Sequence, residues 1–198
     1  FAVEVRTGCE CVEVLPASKT VKLRDVASGA VSTEPYDKLV LAPGAASIRP
    51  PLPGIDLPGI FELRTVPDAR TIREWVAKGS PFLAGMHRYA GFQTVRPKTR
   101  AVVIGGGFIG IETAENLIHR RFDVTLVEMG AQILAPLDPE MARIAEGHLQ
   151  RHGLHLVLND GVAGFEPGEN GSLKVLTKSG AVYPADLVIL ASEPGVLE

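Results

Sequence analysis

Residues 100–112 read RAVVIGGGFIGIE, an apolar run that meets three glycines, then a fourth, then a helical pattern. Such a stretch requires a strand to stop, turn sharply and re-enter as a helix within a few residues. Gly105, Gly107 and Gly110 fit the dinucleotide-binding turn, and each glycine meets a separate demand. Gly105 allows the tight turn out of the strand, Gly107 lets the backbone approach a pyrophosphate, and Gly110 lets helix and strand pack closely. The helix opening at Phe108 and Ile109 then offers free N–H groups and a partial positive charge to the phosphates.

A glycine pattern alone is weak evidence, and here its context strengthens it. A strand at 101–104, a helix from about 108 to 121 and a strand at 123–128 form a β–α–β unit, with Ala114, Leu117 and Ile118 on one helix face. The second strand ends in Glu128, close to the spacing of about 20 residues expected for the acid that holds the adenosine ribose. A carboxylate there accepts hydrogen bonds from the 2′-hydroxyl of NAD, whereas a 2′-phosphate calls for an arginine or lysine. The run from Met129 to Ala135 contains neither. These residues predict a preference for NADH.

The turn lies in mid-chain, so the residues before it need an account. Residues 1–64 read as short strands. VEV (3–5), CVEV (11–14) and TVKLRD (20–25) alternate and are parted by turns at Pro16-Ala17-Ser18 and Ser28-Gly29, as in an antiparallel meander. KLVLA (38–42) is a continuous apolar run, suited to a strand covered on both faces, and Pro43-Gly44 ends it. The proline-rich SIRPPLPGIDLPG suits an extended crossover. From Thr65 the pattern becomes helical. Thr65 with Asp68 makes an acidic capping box, Ala69, Ile72, Trp75 and Val76 form an apolar stripe, and Gly79 ends the helix.

Asp138-Pro139-Glu140 starts a further helix with a cap, an N1 proline and an early acid. Its stripe is Met141, Ile144, Ala145 and Leu149, and Gly153 stops it. LHLVL (154–158) is the next strand, and LKVLT (173–177), AVY (181–183) and DLVILA (186–191) close the chain as a turn-separated β region. The fold class is α/β: a Rossmann-type parallel sheet with helices and a β-meander, preceded by a β-rich fragment.

Composition removes several alternatives. A net charge of −3 without a Lys/Arg cluster argues against nucleic acid as a partner, and no apolar run is long enough to cross a bilayer. The start, FAVEVRTGCE, lacks the layout of a signal peptide, and two cysteines make no disulfide scaffold. A cytoplasmic setting is the expectation. Cys9 and Cys11 share a face of a regular strand; with two ligands and no histidine nearby, strand packing is expected of them rather than a metal or redox pair. His119, His148, His152 and His155 read as structural or solvated, so no metal site is expected.

In order along the chain, YDKLVLAPGA, PPLPGIDLPGIFELRTVPDA, AVVIGGGFIGIETAENL and VTLVEMGAQILAPLDPEMA resemble the FAD-dependent pyridine nucleotide-disulfide oxidoreductases. Within them they are most similar to the coenzyme A-disulfide reductase, NADH oxidase and persulfide reductase branch, with PLDPEMA the most branch-specific piece. The resemblance implies an FAD domain interrupted by an NAD domain and followed by a dimerisation domain. Residues 1–64 would be the last part of the first FAD segment, 65–191 the NAD(H)-binding domain, and 192–198 a return segment or the end of the excised piece.

It further implies that NADH delivers hydride to FAD, and that a low-molecular-weight disulfide, persulfide or oxygen is reduced through a cysteine upstream of residue 1. Neither Cys9 nor Cys11 matches that cysteine. The intact protein would be a homodimer without membrane or nucleic-acid partners, and this chain alone would bind NADH with little turnover.

Residue by residue, Phe108 matches an aromatic that covers the flavin and swings away for the nicotinamide, and Glu112 matches an acid near both rings. Their own patterns equally allow core packing for Phe108 and a helix-dipole role for Glu112. Ile109 and Met129 fall in the matched cofactor-binding stretches, and Gly44 matches a turn near FAD. Two segments depart from the family. Residues 79–99 are longer than expected, and their His87, Arg88, Tyr89, Arg96 and Lys98 suit either a lid over the nucleotide or a surface insertion. After DLVILA the chain reads ASEPGVLE rather than a glycine followed by a proline-asparagine turn. An alternative is the NAD-binding region of a flavoprotein resembling ferredoxin reductases or apoptosis-inducing factor, without a redox cysteine. A free-standing NAD module is disfavoured by the FAD-like strand expected at 38–42.

Overall fold

A computed structural model of the chain describes residues 3–44, 49–78 and 99–191. It separates into two compact units, residues 1–44 and 45–198. The expectations for residues 79–98 and 192–198 lie outside the described residues.

The first unit is an antiparallel sheet of β1 (Cys9–Leu15), β2 (Thr20–Asp25) and β3 (Val31–Pro35), in that order. Glu13 pairs with Lys22 and Glu10 with Arg24 in the register, and both pairs close ion pairs, at 2.7 and 2.5 Å. Opposite charges placed directly across strands favour this register over a slipped one. Cys9 is half-buried and Cys11 exposed, both as free thiols, and a bulge follows between Cys11 and Glu13.

The expected strand at 3–5 does not form. Nor does the one at 38–42, where Val40 and Leu41 are 86% and 69% exposed. A strand exists through its ladder, and no described strand pairs with KLVLA. VSTEP, by contrast, becomes β3 because β2 offers it an edge.

The second unit is layered. Its centre is a five-stranded parallel sheet of β4 (Ile60–Glu62), β5 (Arg100–Ile104), β6 (Asp123–Val127), β7 (Leu154–Val157) and β11 (Leu187–Leu190), in the order β4-β11-β5-β6-β7. Among the described residues, the helices α1 (Val66–Lys78), α2 (Phe108–His119) and α3 (Pro139–Arg151) form the helical layer. A second antiparallel sheet of β8 (Val162–Pro167), β9 (Leu173–Thr177) and β10 (Val182–Ala185) covers the opposite face. The alternation of strand side chains separates the two cores. Ala101, Val103, Val124, Leu126, Leu187 and Ile189 turn to the helices, while Val102, Val127, Val188 and Leu190 turn to Phe165, Leu173 and Val175 of the antiparallel sheet.

Local signals hold at the α1 start. The Asp68 carboxylate accepts the Thr65 N–H at 2.7 Å and the Thr65 hydroxyl at 2.8 Å, and these bonds hold its carboxyl below the usual carboxylate range. Ile72, Trp75 and Val76 pack on the core as the stripe requires, although Ala69 is exposed.

Three expectations change. DLVILA, expected to close a turn-separated β region with the two strands before it, instead joins the parallel sheet: β11 lies between β4 and β5, buried throughout. On α3 the inward residues are Ala142, Ala145 and Leu149, whereas Met141 and Ile144 are 54% and 63% exposed. Ala145 and Leu149 hold their expected places, while Ala142 takes the inward position expected of Met141, because both Met and Ala satisfy an apolar template. Finally, the proline-rich crossover is packed rather than extended. Pro53 accepts the Phe165 N–H at 2.8 Å, and Leu52, Ile55 and Leu57 lie against the antiparallel sheet.

Candidate nucleotide site

The parallel strands end together, and the site is built on the loops that leave their carboxyl ends. Gly105 follows β5 with φ of +109°, a conformation that L side chains rarely adopt. Its N–H donates to Val127 at 2.9 Å, which ties the turn to the end of β6. The chain then enters α2 through Gly107, whose extended backbone caps the helix without any side-chain hydrogen bond. The first N–H groups of α2 are thus left for a ligand or water. Gly110 sits against the turn so closely that a Cβ would lie 2.0 Å from the Gly105 carbonyl oxygen. Bare backbone, close packing and unpaired donors are what an approaching pyrophosphate needs.

Glu128 leaves β6 toward this turn. One carboxylate oxygen accepts the Gly106 N–H and the other the Gly130 N–H, both at 2.6 Å. The acid therefore braces the glycine turn and its own loop together. Each carboxylate oxygen has a second lone pair, so acceptor capacity remains for ribose hydroxyls. Gly105–Gly107, Glu128, Met129, Asp160, Gly161 and Lys178 are among the residues lining a cleft of about 660 Å³. Met129 is 70% exposed beside it.

The expected site residues do not all meet in this cleft. Ile109 and Glu112 line a separate groove of about 620 Å³ between α1 and α2, with Thr65 and Asn116. Phe108 is 64% exposed at the head of α2, so it does not pack into the core of this chain, and Glu112 is exposed on the next turn. Gly44 belongs to the first unit and has φ of +76°.

Asp160, Gly161 and Lys178 escaped the sequence reading. They reach the cleft from the β7–β8 and β9–β10 connections, far along the chain from the glycine turn, and no local pattern marks them. Asp160 accepts the Ser179 hydroxyl at 2.6 Å and its N–H at 3.1 Å. Chiefly through the Ser179 hydroxyl, its carboxyl is held below the usual range. A depressed folded value means that the stabilisation is full above the unfolded value of about 3.9 and is lost as pH falls through the folded one. Asp160→Asn should therefore lower the urea midpoint at pH 7 and reduce the loss of stability on acidification below about pH 4. Parallel acid limbs in the two proteins would contradict this assignment.

Among the described residues no cluster of three or more metal-ligating side chains occurs, and no helix is long and apolar enough to cross a membrane.

The family described as "Pyridine nucleotide-disulphide oxidoreductase" matches residues 1–192. An NADH oxidase of Methanocaldococcus jannaschii is 34% identical over 158 residues, covering 79% of this chain and 31% of that protein. A CoA-dependent NAD(P)H sulfur oxidoreductase of Pyrococcus abyssi is 34% identical over 191 residues, covering 96% of this chain and 37% of that one. The crystal structure of the reduced CoADR-RHD protein of Bacillus anthracis superposes with a TM-score of 0.74 at 37% identity, over 94% of this chain and 30% of that one. The chain thus spans roughly a third of the length of these relatives.

Proposed function

Because the chain belongs to the pyridine nucleotide-disulphide oxidoreductase family, we propose that it is the NADH-binding part of a larger flavoprotein that reduces a low-molecular-weight disulfide, a persulfide or oxygen. NAD(H) and FAD are the cofactors that this membership brings: NADH is the hydride donor and FAD the acceptor. The observation that carries the reading is the glycine turn, where a Cβ at Gly110 would occupy the Gly105 carbonyl and the head of α2 lacks any side-chain cap.

In this reading the chain's own residues bind and orient. The α2 N–H groups hold the pyrophosphate. Glu128, anchored on Gly106 and Gly130, takes the adenosine ribose by its spare lone pairs and disfavours a 2′-phosphate by charge. Phe108 and Glu112, exposed on successive turns of α2, face the nicotinamide and flavin. Gly44 lies near FAD in the intact protein. Relatives named NADH oxidase and sulfur oxidoreductase are 34% identical to this chain, against 29% for a ferredoxin–NAD(+) reductase subunit of Pseudomonas putida that covers 98% of it. It is this margin in identity, not coverage, that favours the thiol and oxygen branch. A cysteine soon after the FAD fingerprint of the full-length protein would agree with that branch.

The test is a titration of the purified chain with NADH, NADPH and FAD. We expect saturable NADH binding, weaker NADPH binding and no flavin retained through gel filtration. NADPH binding more tightly than NADH would overturn the role given to Glu128, and a flavin-loaded yellow chain would overturn the division of labour between this piece and the remainder.

A further inference from the structure

We propose that Lys178 sets the coenzyme selectivity of the cleft, its ammonium offsetting the carboxylate charge at the adenosine end so that a 2′-phosphate is only moderately disfavoured. The inference rests on the nucleotide reading above. Lys178 occupies the β9–β10 turn, and its N–H donates to Gly161 at 2.8 Å. Its side chain lies over the bare backbone of Gly161: a Cβ there would sit 3.3 Å from Lys178 Cδ and Cε and 3.6 Å from Nζ. Gly161 follows Asp160, whose N–H donates to the Glu128 carbonyl at 3.2 Å. The Lys178 side chain thus lies over the Gly161 backbone, in the loop that hydrogen-bonds to the end of β6, and Glu128, Asp160 and Lys178 all border one cleft.

The charges in this corner are unequal in their commitments. Both Glu128 oxygens hold backbone N–H groups, and both Asp160 oxygens hold Ser179. Among the described residues the Lys178 side chain makes no ion pair, so its charge and its three donors remain available to a ligand. With two carboxylates and one ammonium the corner carries a net charge of about −1 at neutral pH. Removing the ammonium doubles that negative charge. NADH presents only hydroxyls at the ribose and should respond little, whereas the 2′-phosphate of NADPH brings up to about two further negative charges. The absence of Lys and Arg from the loop after Glu128 does not by itself exclude NADPH, because the structure supplies a cation from a distant turn.

The experiment titrates wild type, Lys178→Gln and Lys178→Arg with NADH and NADPH, and with AMP and adenosine 2′,5′-bisphosphate as probes of the adenosine end. Each series is run at low salt and at high salt. Expected for Lys178→Gln is a loss of NADPH and bisphosphate affinity of roughly five- to tenfold, with NADH and AMP within about twofold and a shallower salt dependence for the phosphorylated pair. Lys178→Arg should retain wild-type selectivity. Equal weakening of all four ligands, or no change in any, would overturn the assignment of selectivity to Lys178 while leaving standing the reading of the cleft as a nucleotide site. Wild-type protein that binds none of them would overturn both this inference and the nucleotide reading.

Discussion

Gly110→Ala is expected to reduce NADH affinity by roughly ten- to a hundredfold and to destabilise the fold by about 3 kcal/mol, the upper end of the overpacking range. A Cβ at this position would lie 2.0 Å from the Gly105 carbonyl oxygen and 3.4 Å from the Ala191 side chain. Neither the backbone of the turn nor the first helical residues can swing aside as a long side chain would. Relief requires α2 to move away from β5, and that movement withdraws the α2 N–H groups from the phosphate position. Binding and stability should therefore fall together, read by nucleotide titration and by urea midpoint on the same protein, with circular dichroism reporting retained helix. Full NADH affinity in Gly110→Ala would mean that the close packing of turn and helix is not what forms the site.

Arg100→Ala should cost about 3 kcal/mol, within the range for removing one partner of a buried ion pair. The Asp186 side chain is 2% exposed, and it receives the Arg100 N–H at 2.9 Å, Nε at 3.2 Å and Nη2 at 2.8 Å. The guanidinium is correspondingly held above its ordinary pKa, chiefly by its hydrogen bonds to Asp186. The Asp186 carbonyl also accepts the Trp75 indole N–H at 3.3 Å. The pair thus joins the starts of β5 and β11 and lies beside α1. Without the guanidinium a buried carboxylate loses its principal partner, which costs more than the pair itself contributes. The drop in melting temperature should be roughly 6–12 °C for a chain of this size. Arg100→Ala combined with Asp186→Asn should recover part of it, because the uncompensated charge is gone. A double variant no more stable than Arg100→Ala would show that packing of the arginine stem, and not the charge, carries the effect.

Much of the central unit was legible because its signals are local. The glycine turn, the Thr65–Asp68 cap and the β–α–β periodicity each lie within a short window, and each appears at its expected place. The misreadings share one cause. KLVLA is apolar enough for a buried strand, yet it finds no partner ladder among the described residues. Met141 and Ile144 satisfy a helical template as well as Ala142 does, and only the face that meets the sheet separates them. DLVILA reads as one strand among several, and its place between β4 and β5 follows from long-range pairing that no local pattern encodes.

The candidate site divides along the same line. Gly105, Gly107, Gly110 and Glu128 were readable because strand, turn and helix force them together within one unit. That Glu128 grips Gly106 and Gly130 was not, since two hydrogen bonds to backbone leave no trace in composition. The partition of the α2 head between two grooves, with Glu112 on one side and Met129 on the other, depends on how α1 lies against α2.

The sequence by itself determined the class of fold and the position of the glycine turn, because steric limits on glycine and the periods of helix and strand act over a few residues. The tertiary structure alone decided which charged residues border the cleft beside Glu128. Asp160 and Lys178 come from turns that meet Glu128 only once the antiparallel sheet has packed on the parallel one, and electrostatic neighbours are set by distance in space rather than by separation along the chain.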